Sequence, residues 1–332
     1  MPDQIKVALF GVGHLGKIHI QCIQQSQNAV LIGVWDLDKE AETKVILDNN
    51  LSAYSSEEEL IRSSDAVFII TPTPAHLSIA LKAIEFGKHL FIEKPVTLNV
   101  EEANQLKLKL SAQPQLKCQI GHVERFNPAF VSAYHQIRNP LFIEGHRLAE
   151  FKARGTDVSV VMDLMIHDLD LVLNMVHSPV REIRASGVSV MSKTPDICNA
   201  RIEFANGTVA NLTASRISLK QMRKLRIFQS DAYIGIDLLK KESQIVRMAD
   251  RAPDNHPFTW PVDTKDGVKH ISIEAPSTTV TNAIVAEINA FTDSIIHQTE
   301  PIVSLIDGII ALQVAEQILA QIEANSLLSA QA

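Results

Sequence analysis

Two constellations in this 332-residue chain have the residue types and spacing to do chemistry. The first is Gly11-Val12-Gly13-His14-Leu15-Gly16, directly after an apolar run and opening an amphipathic one. One glycine permits a sharp turn, one lets backbone approach a pyrophosphate, and one lets helix and strand pack closely. The amides at such a helix start then face the phosphates. Asp36 ends the next apolar run, 20 residues beyond Gly16. A carboxylate there accepts hydrogen bonds from the ribose hydroxyls and repels a 2′-phosphate. Leu37-Asp38 supplies no compensating arginine, so the pattern predicts NAD rather than NADP. Asp38 itself reads as a solvated turn residue. The second constellation is Asp163 and His167, four apart and therefore on one face of a helix. An imidazole beside a carboxylate can accept a proton. The same spacing also suits a surface hydrogen bond, or a metal site with Asp168. Asp168 points off the shared face and no third ligand is evident, so no metal is expected.

The elements that must position these residues change character along the chain. Apolar runs at residues 5–10, 30–35, 66–71, 89–92 and 117–121 alternate with helical patterns near 14–27, 39–49, 57–63, 75–87 and 100–112. That alternation predicts an α/β domain over residues 1–121, a parallel sheet covered on both faces. Beyond it, strand patterns fall at 143–153, 181–190, 200–204, 208–215, 225–229 and 232–238, around one periodic helix at 158–177. Asn206-Gly207 reads as a hairpin turn. Residues 122–332 are therefore expected to form an α+β domain with a large open, mainly antiparallel sheet. Residues 250–269 read as a loop, and helices near 282–297 and 304–324 follow.

Composition limits the partners. The formal charge of −7 gives no bulk attraction to nucleic acid or anionic membranes. No continuous apolar run approaches the roughly 18 residues of a spanning helix, and the N-terminus shows no basic leader with an apolar core. Cys22, Cys118 and Cys198 lack metal-like spacing and do not form a disulfide framework, which fits a reducing cytoplasm. Within this acidic chain, Arg216, Lys220, Arg223, Lys224 and Arg226 cluster without an acidic residue, and Arg154 adds a cation before the long helix. An anionic substrate would account for them, as would a solvated surface or pairing with acids on another subunit. Strand alternation prevents all of them from facing one pocket.

The segment Asp65-Ala66-Val67-Phe68-Ile69-Ile70-Thr71-Pro72-Thr73-Pro74-Ala75-His76 leads through Gly87-Lys88-His89 to Glu93-Lys94-Pro95. With the glycine turn, it resembles the glucose–fructose oxidoreductase / inositol dehydrogenase / MocA family over essentially the whole chain. The resemblance implies a Rossmann-like domain followed by an open-sheet domain that commonly forms homodimers or homotetramers. It implies that Lys94 lies near the nicotinamide and the reacting alcohol, often after a cis peptide at the following proline. Thr71, Pro72, Thr73, His76 and Glu93 join Gly11, Gly13, His14, Leu15, Gly16 and Asp36 as cofactor-binding positions. The stretch from Asp163 to His167 resembles the family's Asp-x-x-x-His helix, which makes His167 the proton acceptor with Asp163 beside it. Ser159-Val160-Val161 and Leu164-Met165 replace glycines common in relatives, so the helix entry is expected to differ. Gly121-His122-Val123-Glu124-Arg125-Phe126-Asn127-Pro128 and Ala214-Ser215-Arg216-Ile217-Ser218, together with Met165-Ile166-His167-Asp168-Leu169-Asp170, resemble the branch that oxidises UDP-N-acetylglucosamine at its 3-position. That similarity implies substrate contacts by Arg125, Asn127, Arg154 and Arg216, with a domain-junction salt bridge as the alternative for Arg125. A free sugar or polyol dehydrogenase, an NADPH-linked reductase and a dinucleotide-sensing regulator remain open. A regulator would be expected to lack Lys94 or His167, and both are present.

Overall fold

The computed structural model describes residues 4–151, 158–251, 259–265, 267–278 and 281–331, the last six by backbone alone. They form two compact units. The first holds the chain up to Val123 together with Thr281–Gln313, and the second holds the chain from Glu124 with the segment from Val314 onward. The expected assignment of everything beyond residue 121 to the second domain is thereby corrected.

In the first unit, β1 (Ile5–Phe10), α1 (His14–Ile23), β2 (Ala29–Trp35), α2 (Lys39–Asp48), α3 (Glu57–Ser63), β3 (Ala66–Ile69), α4 (His76–Glu85), β4 (His89–Glu93), α5 (Val100–Ser111) and β5 (Cys118–Gly121) follow in order. The strands pair in parallel in the order β2-β1-β3-β4-β5. Their central runs, such as Ala66–Ile69, are wholly buried, as a sheet covered on both faces requires. Helix starts are fixed by side-chain caps: Asp38 accepts from the amides of Glu40 and Ala41, and Asn99 from that of Glu102. The helix Ala283–Ile296 belongs here because its apolar stripe has its partners here. Ile288, Phe291 and Ile295 join Val7, Leu9, Phe68 and Phe91 in one core. Phe68 and Phe91 stack at 4.7 Å, and Phe291 meets both edge-on at 5.7 and 5.9 Å.

The second unit carries α6 (Pro128–Tyr134), β6 (Phe142–Leu148), a π-helical turn at Val161–Met165 running into α7 (Ile166–Val176), then β7 (Val180–Val188), β8 (Ile197–Phe204), β9 (Val209–Ser215), β10 (Met222–Phe228), β11 (Ala232–Asp237), β12 (Glu242–Ala249), β13 (Thr259–Thr264) and β14 (Gly267–Glu274). They build a nine-stranded sheet, β13-β14-β12-β11-β10-β6-β9-β8-β7, antiparallel except for the β6–β9 pair. One face packs on α6 and α7, with Ile143, Leu212, Leu225 and Ile234 against Leu169 and Val172.

Three expectations change. The stretch read as a loop contains β13 and the start of β14, an antiparallel pair at the sheet edge. Pro261, which has no N–H to give a ladder, is tolerated in such an edge strand. The long helix starts with the π turn instead of running as a regular α-helix from residue 158. The last helix, α9 (Leu305–Gln331), which follows α8 (Ala283–Ile296), is apolar and long enough over Leu305–Asn325 to span a membrane by length and composition. Half of that stretch is buried inside the protein, the pattern of a core helix.

Candidate active site

The glycine turn has the shape its sequence requires. Gly11 sits at φ +94°, and a Cβ there would lie 2.6 Å from the Ile70 carbonyl oxygen. A Cβ on Gly16 would lie 2.0 Å from the Gly11 oxygen, so only glycine lets α1 approach β1 this closely. Gly13 differs: no described atom lies within 4 Å of its missing Cβ. Bare backbone at the start of α1 thus faces open space, with Gly13, His14 and Leu15 all exposed. Asp36 is held beside this turn, its Oδ2 accepting from the Val12 amide at 2.7 Å and its Oδ1 from the Asp38 amide at 2.9 Å. Asp38 caps α2, so the carboxylate aimed at the turn is that of Asp36 alone. The Thr71 hydroxyl oxygen, at the end of β3, is buried and has no hydrogen-bond partner among the described residues. An open backbone cradle, a fixed carboxylate and an orphaned hydroxyl fit a dinucleotide. Pro72 is exposed and Thr73 half-exposed beside it.

Two expected cofactor residues have other occupations. His76 is buried, with Nε2 2.9 Å from the Thr71 carbonyl oxygen and Nδ1 3.0 Å from that of Pro95. Burial pushes its pKa below the ordinary value, against the pull of those carbonyls. It lies between the end of β3 and the turn after β4. Glu93 is likewise turned inward, its Oε1 2.8 Å from His19 Nε2 and its Oε2 accepting from the Lys94 amide at 3.2 Å. The Lys94–Pro95 peptide is cis.

In the second unit, Asp163 lies in the π turn and His167 in the first turn of α7. Both are partly exposed, whereas Met165, Ile166, Asp168 and Leu169 between and beside them are buried. The sequence thus presents this pair outward while its neighbours anchor the helix. Asp168 takes both Nε and Nη2 of Arg147 on β6, the latter at 2.7 Å, and Arg147 Nη1 reaches Glu124 at 2.9 Å. Desolvation pushes the Asp168 carboxyl above its ordinary range, although the Arg147 charge opposes this. Asp170 accepts from Arg125 Nε and Nη2 at 2.7 and 2.8 Å, and Arg125 Nη1 donates to Asn174 Oδ1 at 2.6 Å. Two arginine–carboxylate forks therefore fix the helix that carries His167.

The residues expected to contact substrate have internal partners where they are described. Arg125 is buried in the salt bridge with Asp170. Asn127 caps α6 through Oδ1, while Nδ2 donates to Glu124 and to the Leu238 carbonyl. Arg216 is buried, donating to the Val158 carbonyl beside Asp196. Arg154 lies outside the described residues. Of the remaining basic cluster, Lys224 pairs with Asp237 and Arg226 with Glu144 on the open face of the sheet. Arg223, half-exposed, lies 3.5 Å from the Glu124 carboxylate that Arg147 also holds. Sequence reasoning missed Arg147 and paired neither His19 nor Asp170. Their charges were legible, but nothing local identifies a partner 21 to 74 residues away. Among the described residues, no cluster of three or more His, Cys, Asp or Glu is placed to hold a metal ion.

Comparison with known proteins gives a consistent picture. Residues 5–122 match the model described as oxidoreductase family, NAD-binding Rossmann fold, and residues 120–234 match the GFO/IDH/MocA C-terminal domain. The UDP-N-acetylglucosamine 3-dehydrogenase of Acidithiobacillus ferrooxidans is 35% identical over 292 residues, 88% of each chain. A solved structure of that enzyme superposes with a TM-score of 0.87 at 34% identity, covering 97% of this chain and 98% of the other. The scyllo-inositol 2-dehydrogenase (NAD(+)) of Bacillus subtilis is 30% identical over 240 residues, 66% of this chain and 69% of that one.

Proposed function

This chain belongs to the GFO/IDH/MocA oxidoreductase family, and on that premise we propose that it oxidises the 3-hydroxyl of UDP-N-acetylglucosamine with NAD. The observation that carries the substrate is the 35% identity, over 88% of both chains, to an enzyme of that name. When bound, NAD supplies the acceptor for the carbinol hydrogen and its electron pair. His167 receives the hydroxyl proton on its imidazole, with Asp163 beside it on the same helix. The Lys94 ammonium donates to the alcohol oxygen and stabilises the negative charge that develops there. The Gly11–Gly16 turn holds the pyrophosphate and Asp36 the adenosine ribose, which disfavours the 2′-phosphate of NADP. Thr71, whose hydroxyl has no partner among the described residues, and Thr73 line the same cofactor. Arg223 takes over the role first given to Arg216, because it is the half-exposed arginine of the basic cluster on the α7 side of the sheet.

The test offers UDP-N-acetylglucosamine, free N-acetylglucosamine, glucose and myo-inositol with NAD and follows NADH. An aminotransferase is coupled to withdraw the ketone. Turnover of the UDP-linked sugar is expected. Robust turnover of a free sugar or inositol with none on the nucleotide would replace this reading by the polyol one, which the relative from B. subtilis favours.

The protein works in the cytoplasm as a homodimer or homotetramer in this reading. All three cysteines are free and buried, which suits a reducing compartment. The open face of the nine-stranded sheet carries a cross-strand row of Val209, Phe142, Phe228, Tyr233, Val246 and Ile273, a surface suited to a second copy.

A further inference from the structure

His19 is fully buried in the middle of α1, the helix whose first turn is the glycine cradle. Its ring lies edge-on to Phe91 at 5.6 Å, and its Nε2 is 2.8 Å from the Glu93 carboxylate. Glu93 ends β4 opposite Gly121 on β5. A Cβ on Gly121 would stand 2.9 Å from that carboxylate, so the site is made for it. The other carboxylate oxygen accepts from the amide of Lys94. His19 Nδ1 is buried with no partner among the described residues. Nδ1 having no such partner, Nε2 is the nitrogen that bonds the Glu93 carboxylate and its negative charge. Burial works against that charge, while the His19 bond and Lys94 hold the carboxyl below its ordinary pKa.

We propose that His19 is a positioning residue: by donating to Glu93 it fastens the Glu93–Lys94 turn to the phosphate-binding helix, so the nucleotide cradle and the Lys94 ammonium form one preset body. The inference rests on the role given to Lys94 above. A positioned charge costs no reorganisation during reaction, whereas a loosened turn must be ordered at every turnover. The carboxylate also keeps a negative charge next to the lysine, which favours its ammonium form.

Three variants test this: His19→Leu removes the donor, His19→Gln keeps an N–H near the Nε2 position, and Glu93→Gln removes the charge with little change of shape. Each is followed by kcat and KM, by calorimetric NAD binding, and by competitive acetic anhydride labelling of Lys94 across pH, read by mass spectrometry. In His19→Leu, Glu93 is still ionised where Lys94 titrates but has lost its anchor, so the midpoint of Lys94 labelling is expected to move by about half a unit or more as carboxylate and ammonium change their separation. Its kcat should fall at least about tenfold, while NAD affinity stays within about threefold. Glu93→Gln, which removes the neighbouring negative charge, should lower the midpoint, and adding His19→Leu to it should shift the midpoint no further. His19→Gln should restore most of both readouts. An unchanged midpoint in both His19→Leu and Glu93→Gln overturns the proposal, as does a glutamine variant that falls as far as the leucine one. The labelling arm needs no substrate, so it decides the tether even if every sugar offered is inert. An active enzyme with an indifferent His19 would leave the dehydrogenase reading intact.

Discussion

In the proposed reaction, Lys94 and His167 act through opposite electrical states. One contributes a fixed positive charge, and the other must be neutral to accept a proton and charged once it has done so. Lys94→Ala and His167→Ala are each expected to lower turnover by about 10²–10⁴-fold, the range for losing a positioned proton-transfer or charge-stabilising group. NAD should bind His167→Ala normally in calorimetric titration, since the glycine turn and Asp36 lie in the other unit. Near-normal turnover by His167→Ala on the physiological substrate would show the proton going elsewhere. At the same scale, Arg125 and Arg216 were legible as cations, but their internal partners were not. An arginine written beside a catalytic motif reads identically whether its fork meets a substrate or an internal carboxylate. Only the positions of Asp170 and Val158 decide between them.

At the scale of elements, α7 is held by charge as well as by apolar packing. Asp168 and Asp170 lie on either side of the buried Leu169, and each meets its own arginine. Arg147→Met would leave Asp168 and Glu124 buried without their shared cation. Breaking such a pair costs about 3–5 kcal/mol. Urea titration should show this loss in the second unit, and replacing Asp168 by leucine in the same chain should recover part of it. A loss below about 1 kcal/mol for Arg147→Met would mean the pair is solvated. How far these elements were legible depends on their surroundings. The strands of the first unit announce themselves because burial on both faces demands unbroken apolar runs, as in Ala66–Ile69. β12 and β13 do not: Glu242, Gln244, Asp263 and Pro261 give them the composition of loops, and pairing alone makes them strands. The glycine turn, Asp36 and the Asp163/His167 spacing were readable because their chemistry is local. The π turn was not, since an extra residue in a helical turn leaves no periodic signature over five positions.

The whole molecule is set by what its sheets leave uncovered. α6 and α7 cover one face of the nine-stranded sheet, while Phe228 and Met248 on other strands remain exposed. Phe228 packs between Phe142 and Tyr233, at 6.0 and 5.1 Å. If this row joins two copies, Phe228→Arg should reduce the mass seen by light scattering to that of one chain, with the circular dichroism spectrum unchanged. An unaltered mass would move the interface elsewhere. The discontinuity of the first unit has a consequence for the ribosome. Strands β1 to β5 emerge early, but Ile288, Phe291 and Ile295, which close over Phe68 and Phe91, follow only after the entire nine-stranded sheet. At roughly 5–20 residues per second, that interval lasts on the order of ten to thirty seconds. Throughout it, Phe68 and Phe91 of the nascent half lack the Phe291 side chain that later packs edge-on against both. Synthesis order thus runs against domain order, and the half that begins first is completed late.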